Sequence, residues 1–329
     1  MKVIEAVDRD TLRLVERASI PLQAGEVRIA VVAAGVNYLD IQERTGAYPR
    51  EFPYVPGGEG SGVVTEVAPD VSTPMVGQRV CWQGVQASYA DEAVAPAWKV
   101  IPLQAEVSHQ QAAAILLQGL TAQYLTTDSY AVQPGDLIVV HAGAGGVGLL
   151  LTQLAKSLGA KVITTVSTQQ KAALSQAAGA DQAVAYEDLR STVAGRAAAV
   201  YDSVGRTTFE DSLHALAPRG TLILYGQSSG PVPPFDLSRL GPIGSLTITR
   251  PTLRHFVSTP ASLHRQAALL FDHLKTGTLT PPITTTYPLA DAAEAHEALQ
   301  SRSTTGKLLL LPAPTTPAAP DRAPRPAPE

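Results

Sequence analysis

The chain has 329 residues, 45% apolar and 16% charged, with a formal net charge of −4, a length that fits about two domains. It carries no long apolar run of the kind that spans a membrane and no basic, apolar leader, so it reads as a soluble cytoplasmic protein with no membrane partner. Its lysines and arginines form no cluster, which makes nucleic acid an improbable partner and leaves small molecules, because phosphate recognition rests on many grouped cations.

Over the first 120 residues, short apolar runs such as Val27–Ala33 and Gly60–Val67 alternate with turn signals, the pattern of a β-rich domain. The single cysteine, Cys81, lies in one such run, GQRVCW. Alone it can form neither an intrachain disulfide nor a thiolate zinc cluster, so it reads as a buried, inert thiol.

From about Thr121 the texture lengthens. A helix-like stretch reaches Tyr130, a Pro134-Gly135 turn follows, then an apolar run Leu137–Val140 and a helix from Gly146 to Leu158. Further apolar runs at Lys161–Val166, Ala183–Ala185, Ala197–Tyr201 and Thr221–Tyr225 alternate with helical segments, including Thr208–Leu216. Strands alternating with helices predict an α/β fold with a parallel sheet. Beyond Pro260 come a helix to Lys275, a second helix Ala290–Gln300 and a strand Lys307–Leu311, and the proline- and alanine-rich residues 313–329 read as a disordered tail.

The segment HAGAGGVG, residues 141–148, spaces Gly143, Gly145 and Gly148 as G-x-G-x-x-G. Alone the spacing is weak, and glycines that only permit tight helix–strand packing would match it as well. Here it follows the run LIVV and opens a helix, where backbone N–H groups face a pyrophosphate. An NAD site usually places a carboxylate about 20 residues further on, against the ribose 2′-hydroxyl. This chain has Ser167-Thr168-Gln169-Gln170-Lys171 there, so no acid repels a 2′-phosphate, Ser167 and Lys171 are placed to bind one, and NADPH is favoured. A solvated first-turn lysine is the plainer reading of Lys171.

AAGVNYLD (33–40), RTGAYP (44–49), PGGEGSGVV (56–64), QGLTAQYL (118–125), HAGAGGVG, YDSVGR (201–206), YGQSSG (225–230) and TRP (249–251) follow one another along the chain. Together they resemble the medium-chain dehydrogenase/reductase superfamily, in its zinc-free NADPH:quinone oxidoreductase, ζ-crystallin-like branch. The resemblance implies a GroES-like substrate domain plus a doubly wound Rossmann domain. The corresponding spans are 1–120, 121–259 for NADPH binding, and 260–312 returning to the substrate domain. It also implies an active site between the domains and a homodimer, formed through edge strands near Gly244–Thr249.

Zinc-dependent members carry cysteine where this chain has Asn37, histidine where it has Gly58, and a further cysteine near Gln118. Neither metal site is therefore expected. The resemblance implies that Asn37, Tyr48 and Tyr54 line the nicotinamide and substrate region. By matching position, Asn37, Tyr38, Leu39, Asp40, Ile41 and Gln42 would lie near the nicotinamide, together with Tyr124. Gly146 and Val147, beside Gly143 and Gly145, would meet the pyrophosphate, Ser167 and Lys171 the 2′-phosphate, and Tyr186 the adenosine. Ser203, Val204, Gly226, Gln227, Ser228, Ser229 and Gly230 would continue the site, and Arg302 would close it. Plainer roles exist for some: Tyr48 beside Pro49 as a turn residue, Tyr186 as a strand cap, Arg302 as a solvated helix-end cation.

The activity implied is metal-independent hydride transfer from NADPH to a quinone, resting on positioning and electrostatics. Rival readings are an enoyl or alkenal reductase acting on a conjugated carbonyl, a non-catalytic NADPH-binding protein of crystallin or RNA-binding type, and a zinc alcohol dehydrogenase.

Overall fold

The computed structural model describes residues 1–313, so the predicted tail lies, beyond Ala313, outside the described residues. In chain order, strands β1 (Lys2–Ala6), β2 (Leu12–Glu16) and β3 (Glu26–Val36) lead into the short helix α1 (Tyr38–Thr45). Strands β4 (Glu59–Val67), β5 (Arg79–Gln83), β6 (Glu92–Pro96) and β7 (Val100–Pro102) precede helix α2 (His109–Tyr124). Then follow β8 (Leu137–Val140), α3 (Gly146–Ser157), β9 (Lys161–Val166), α4 (Gln169–Ala177), β10 (Gln182–Ala185), α5 (Leu189–Val193), β11 (Ala197–Asp202), α6 (Phe209–Ala215), β12 (Leu216–Leu224) and β13 (Thr247–Thr249). Helix α7 (Pro260–Lys275), strand β14 (Ile283–Pro288), helix α8 (Ala292–Gln300) and strand β15 (Lys307–Leu311) close the described chain.

Two large sheets result. The six strands from β8 to β13 pair in parallel in the order β10-β9-β8-β11-β12-β13. Numbered from β8 this is 3-2-1-4-5-6, the doubly wound dinucleotide-binding order. The second sheet runs β14-β15-β3-β4-β5-β7, with β6 also on β3, and is antiparallel except where β14 meets β15. Its strands β14 and β15 come from the far end of the chain, so the substrate-side sheet is completed only after the Rossmann sheet has been made.

Helix α2 is the element that the sequence pattern conceals. Ala112, Ala113, Ala114, Ile115 and Leu116 are consecutive and buried, so the helix has no polar face to set a 3.6-residue period. It packs against β3, β4 and β5 on one side and against α3 and α7 on the other, and residue 120, placed above at a domain edge, lies within it. Ser108 starts it, its hydroxyl accepting from Gln111 N at 3.2 Å while Gln111 Oε1 accepts from Ser108 N at 3.0 Å, a capping box. The helix-like stretch expected from Thr121 to Tyr130 is the end of α2 followed by a π-turn at Leu125–Ser129.

In helix α7, Leu263, Ala267, Leu270 and Phe271 share a core with Ile138 and Val140 of β8 and Leu150 and Leu154 of α3. Cys81 is fully buried in the same core, and burial pushes its thiol well above the usual range. No helix among the described residues is long and apolar enough to cross a membrane.

Candidate active site

The glycine segment leaves β8 and enters α3 as the motif required. Gly145 is the N-cap of α3 and supplies no side-chain cap, so the first N–H groups of a twelve-residue helix have no side-chain acceptor. A Cβ on Gly143 would strike the Thr164 side chain of β9, and one on Gly148 the Ala142 carbonyl, so those two glycines serve helix–sheet packing. On Gly145 a Cβ would come no closer than 3.2 Å to the Ala142 carbonyl, and on Gly146 it would meet only the Gln118 carboxamide. The Gln118 Oε1 is itself buried without a hydrogen-bond partner. The uncapped N–H groups at the α3 N-terminus fit a phosphate, while the Gln118 side chain occupies the space over Gly146.

At the end of β9 the Lys171 side chain meets the Ser167 hydroxyl and the backbone of Arg302, residues predicted from distant parts of the chain. Lys171 Nζ donates to the Arg302 carbonyl at 2.6 Å and lies 3.4 Å from Ser167 Oγ. Thr168 caps α4, its hydroxyl accepting from Lys171 N at 3.2 Å. Burial, with the Arg302 charge behind it, holds the Lys171 ammonium below its ordinary value. Arg302 has a positive φ of 58°, and its guanidinium donates to the Ser228 carbonyl at 3.1 Å.

Asp202, at the end of β11, organises the next two loops. Its carboxylate accepts from Val204 N at 2.7 Å, Gly205 N at 2.9 Å, Thr208 Oγ1 and Ser212 Oγ. Ser229 Oγ then donates to the Val204 carbonyl at 2.7 Å, and Gly226 lies so close to Ser203 that a Cβ would strike its carbonyl. Residues 203–205 and 226–230 are thus one double loop. His141 is buried behind it, with Thr165 on Nδ1 at 2.8 Å and Ser212 on Nε2 at 3.0 Å, and Tyr186 stacks parallel to its ring.

Four contacts join the sheets and locate the seam. Tyr38 Oη donates to the Ser228 carbonyl at 3.3 Å, joining the Arg302 bond to the same oxygen. Gly306 N donates to the Ala144 carbonyl at 3.1 Å, tying the start of β15 to the glycine segment. Arg250 Nη2 lies 3.4 Å from Tyr48 Oη.

The substrate-side centre is a buried polar cluster. Asn37, at the β3–α1 junction, is 5% exposed, while Glu59 on β4 and Lys307 on β15 are 0% exposed. Lys307 Nζ donates to Asn37 Oδ1 at 2.8 Å and makes an ion pair with Glu59 Oε1. Asn37 Nδ2 donates to that same Glu59 oxygen at 2.7 Å, and Glu59 Oε2 accepts from Leu117 N of α2 at 2.9 Å. Gly35 is required beside them, because a Cβ there would collide with the Glu59 carboxylate.

The Asn37–Gln42 run does not face the seam as a block. Ile41 is buried, and the Asp40 carboxylate is already engaged, accepting from Asn37 N at 2.9 Å and from the Tyr89 hydroxyl at 2.8 Å. Burial raises Asp40 to about 7. Behind Tyr89, His296 Nε2 lies 3.1 Å from the phenol, and burial lowers that imidazole to about 3. Leu39 is exposed, and Tyr124 is packed flat on Phe256 with ring centroids 4.2 Å apart. Tyr54 keeps a buried hydroxyl without a partner, and burial pushes it up to about 12. No hydrogen bond among the described residues joins Tyr48 or Tyr54 to the Asn37 cluster. The sequence reading does not place Lys307, Glu59, Asp202 or Arg250 in the site, although Glu59, Asp202 and Arg250 lie within the segments PGGEGSGVV, YDSVGR and TRP.

Comparison with known proteins agrees with this geometry. The alcohol dehydrogenase GroES-like domain matches residues 23–134, and the zinc-binding dehydrogenase domain matches 178–310. A quinone oxidoreductase of Pseudomonas aeruginosa is 40% identical over 296 residues, covering 87% of this chain and 91% of that one. The chain belongs to the quinone oxidoreductase branch of the medium-chain dehydrogenases/reductases. Within that branch, the Escherichia coli quinone oxidoreductase solved with NADPH superposes with a TM-score of 0.91 at 37% identity, covering 95% of this chain and all of that one. A 2-haloacrylate reductase from a Burkholderia species is 39% identical over 303 residues, covering 88% of this chain and 91% of its own length. Among the described residues no group of three or more His, Cys, Asp and Glu side chains is placed to hold a metal ion.

Proposed function

We propose that this protein is an NADPH-dependent quinone oxidoreductase that works without zinc. The observation that carries the cofactor choice is the meeting of Ser167, Lys171 and Arg302 at the end of β9, where the run 167–171 contains no acid. The Lys171 ammonium and the Ser167 hydroxyl, with the Arg302 charge close enough to act on that ammonium, suit a 2′-phosphate, and a cation–phosphate hydrogen bond is roughly twice as strong as a neutral one. The family relationship and the relative solved with NADPH support the same reading.

Bound NADPH supplies a hydride from its nicotinamide. The chain's part is to bind, orient and shield. The uncapped α3 N-terminus at Gly145 and Gly146 would hold the pyrophosphate, with Val147 beside it. The double loop 203–205 and 226–230, fixed by Asp202, lines the cofactor, and Tyr38 and Arg302 close it through the Ser228 carbonyl. Tyr186, stacked on His141, would sit at the adenosine, and Tyr124, stacked on Phe256, behind the nicotinamide. Asn37, Tyr48 and Tyr54 face the acceptor. A quinone oxygen gains charge that its own ring spreads, so it needs less help than an alkoxide.

In this reading the substrate unit comprises β1–β7 with β14, α8 and β15, and the cofactor unit comprises β8–β13 with their helices and α7. Strand β13 is an edge strand of the parallel sheet. An unpaired edge invites pairing, and with Leu237 and Ile243 exposed nearby it is the surface through which two copies form a homodimer in the cytoplasm.

The 2-haloacrylate reductase relative favours a second reading, because a haloacrylate is a conjugated double bond and would accept the same hydride. Steady-state assays with benzoquinone and phenanthrenequinone beside 2-haloacrylate and crotonyl thioesters separate the two. Higher kcat/KM on the quinones is expected, and preference for the conjugated acids or thioesters overturns the assignment.

A further inference from the structure

Asn37 is the only asparagine in the chain, and it is held in an unusually constrained way. A lysine ammonium can only donate and a carboxylate can only accept. Lys307 Nζ at 2.8 Å must therefore face Asn37 Oδ1, and Glu59 Oε1 at 2.7 Å must face Asn37 Nδ2. Flipping the amide would set Nδ2 against the ammonium and Oδ1 against the carboxylate, two repulsive contacts in place of two charge-assisted bonds. The remaining Nδ2 hydrogen points toward the Gly35 carbonyl at 3.4 Å. Both donors of the amide are committed inward, and only Oδ1 keeps a free lone pair.

The residues that hold the amide are held in turn. Glu59 Oε2 is fixed by Leu117 N inside α2, and the Asn37 backbone N–H is fixed by Asp40. Lys307 follows Gly306, whose N–H is bonded to Ala144 in the glycine segment, so the cluster is in register with the cofactor side.

We propose that Lys307 and Glu59 are positioning residues that lock the Asn37 carboxamide so that it meets the bound ligand only as a hydrogen-bond acceptor, taking a bond from a hydroxyl group. Asn37 is then not the electrophile that replaces the zinc of its relatives, because it has no hydrogen to offer a quinone oxygen. It orients a hydroxyl, either one on the ribose of the cofactor or one on the quinol. This inference rests on the quinone reductase reading only for the identity of that ligand.

The test combines a spectroscopic and a kinetic measurement on the full chain. Protein labelled with nitrogen-isotope asparagine gives a single side-chain amide signal pair. In the ligand-free wild type the two protons are expected to be well separated and slow to exchange with solvent, and in Lys307→Met to exchange rapidly. Fast exchange in the wild type, or slow exchange retained in Lys307→Met, overturns the lock whether or not quinone turns over.

In the kinetic cycle, Lys307→Met is expected to lower kcat/KM about tenfold, while in an Asn37→Ala background it lowers it less than about twofold further, because coupled residues are non-additive. Equal losses in both backgrounds contradict a role through Asn37. If Lys307→Met alone does not fold, the Glu59→Gln/Lys307→Met pair, which leaves no lone buried charge, runs the same cycle. A rise in the NADPH dissociation constant, read by fluorescence without quinone, assigns the hydroxyl to the cofactor. An unchanged constant with reduced kcat assigns it to the quinol, and if neither changes the acceptor role is wrong.

Discussion

At the glycine segment, recognition is made by backbone: an uncapped helix end at Gly145, where a Cβ would meet nothing closer than the Ala142 carbonyl at 3.2 Å. At Asn37 it is made by three side chains from the β3–α1 junction, β4 and β15, buried together. The first region tolerates change in everything except bulk and backbone shape. The second tolerates almost none, because removing one charge strands another away from water.

The largest test of that contrast is stability. Lys307→Met leaves Glu59 unpaired and buried and should cost about 3–5 kcal/mol, whereas Glu59→Gln/Lys307→Met should cost far less. Urea unfolding of both proteins checks this, and similar costs would mean that the pair does not behave as an isolated buried ion pair.

On the cofactor side, Lys171→Ala should leave folding intact and reduce kcat/KM for NADPH by about 10–100-fold, the loss of a charge-assisted bond, with NADH hardly affected. Parallel kinetics with both nucleotides decide it, and an equal loss with NADH would show a general rather than a phosphate-specific role.

Glycine substitutions divide packing from binding more finely. Gly148→Ala should lower the unfolding midpoint strongly, because its Cβ would strike the Ala142 carbonyl, while Gly145→Ala, at 3.2 Å from the same oxygen, should lower it much less yet weaken NADPH about tenfold. Thermal melts and fluorescence titration on the same samples separate the two outcomes.

The smallest effect is in the Asp40–Tyr89–His296 chain. Asp40 rises from 3.8 to about 7 on folding, so its contribution is full below pH 3.8 and is lost as pH rises through about 7. His296 falls from 6.5 to about 3, so its contribution is full above pH 6.5 and is lost as pH falls through about 3. The two slopes oppose each other between pH 3.8 and 6.5. Asp40→Asn should therefore make stability rise with pH across that window, and His296→Gln should make it fall. Denaturation midpoints across the window measure both, and parallel slopes would disconnect the groups from stability.

These regions also differ in how far the sequence discloses them. The strand–glycine–helix order and the missing acid after β9 are local, so HAGAGGVG and Ser167–Lys171 were legible from residues a few positions apart. Arg302 entered only through resemblance, and the structure sets its carbonyl on Lys171, 131 positions away. Lys307 was invisible: it lies 270 positions from Asn37 and begins an apolar strand, where a lysine reads as a solvated end. Helix α2 was hidden for the opposite reason, since burial on both sides erased its periodicity. Asp40 read as a cofactor neighbour from its position beside Asn37, and the hydrogen bonds to Asn37 N and Tyr89 turn its carboxylate inward.

The most direct measurement is quinone turnover by chelator-treated enzyme with NADPH and NADH side by side. The account predicts full activity after chelation and kcat/KM with NADPH higher than with NADH by about tenfold or more. Equal use of NADH, or turnover that appears only when zinc is restored, would contradict it.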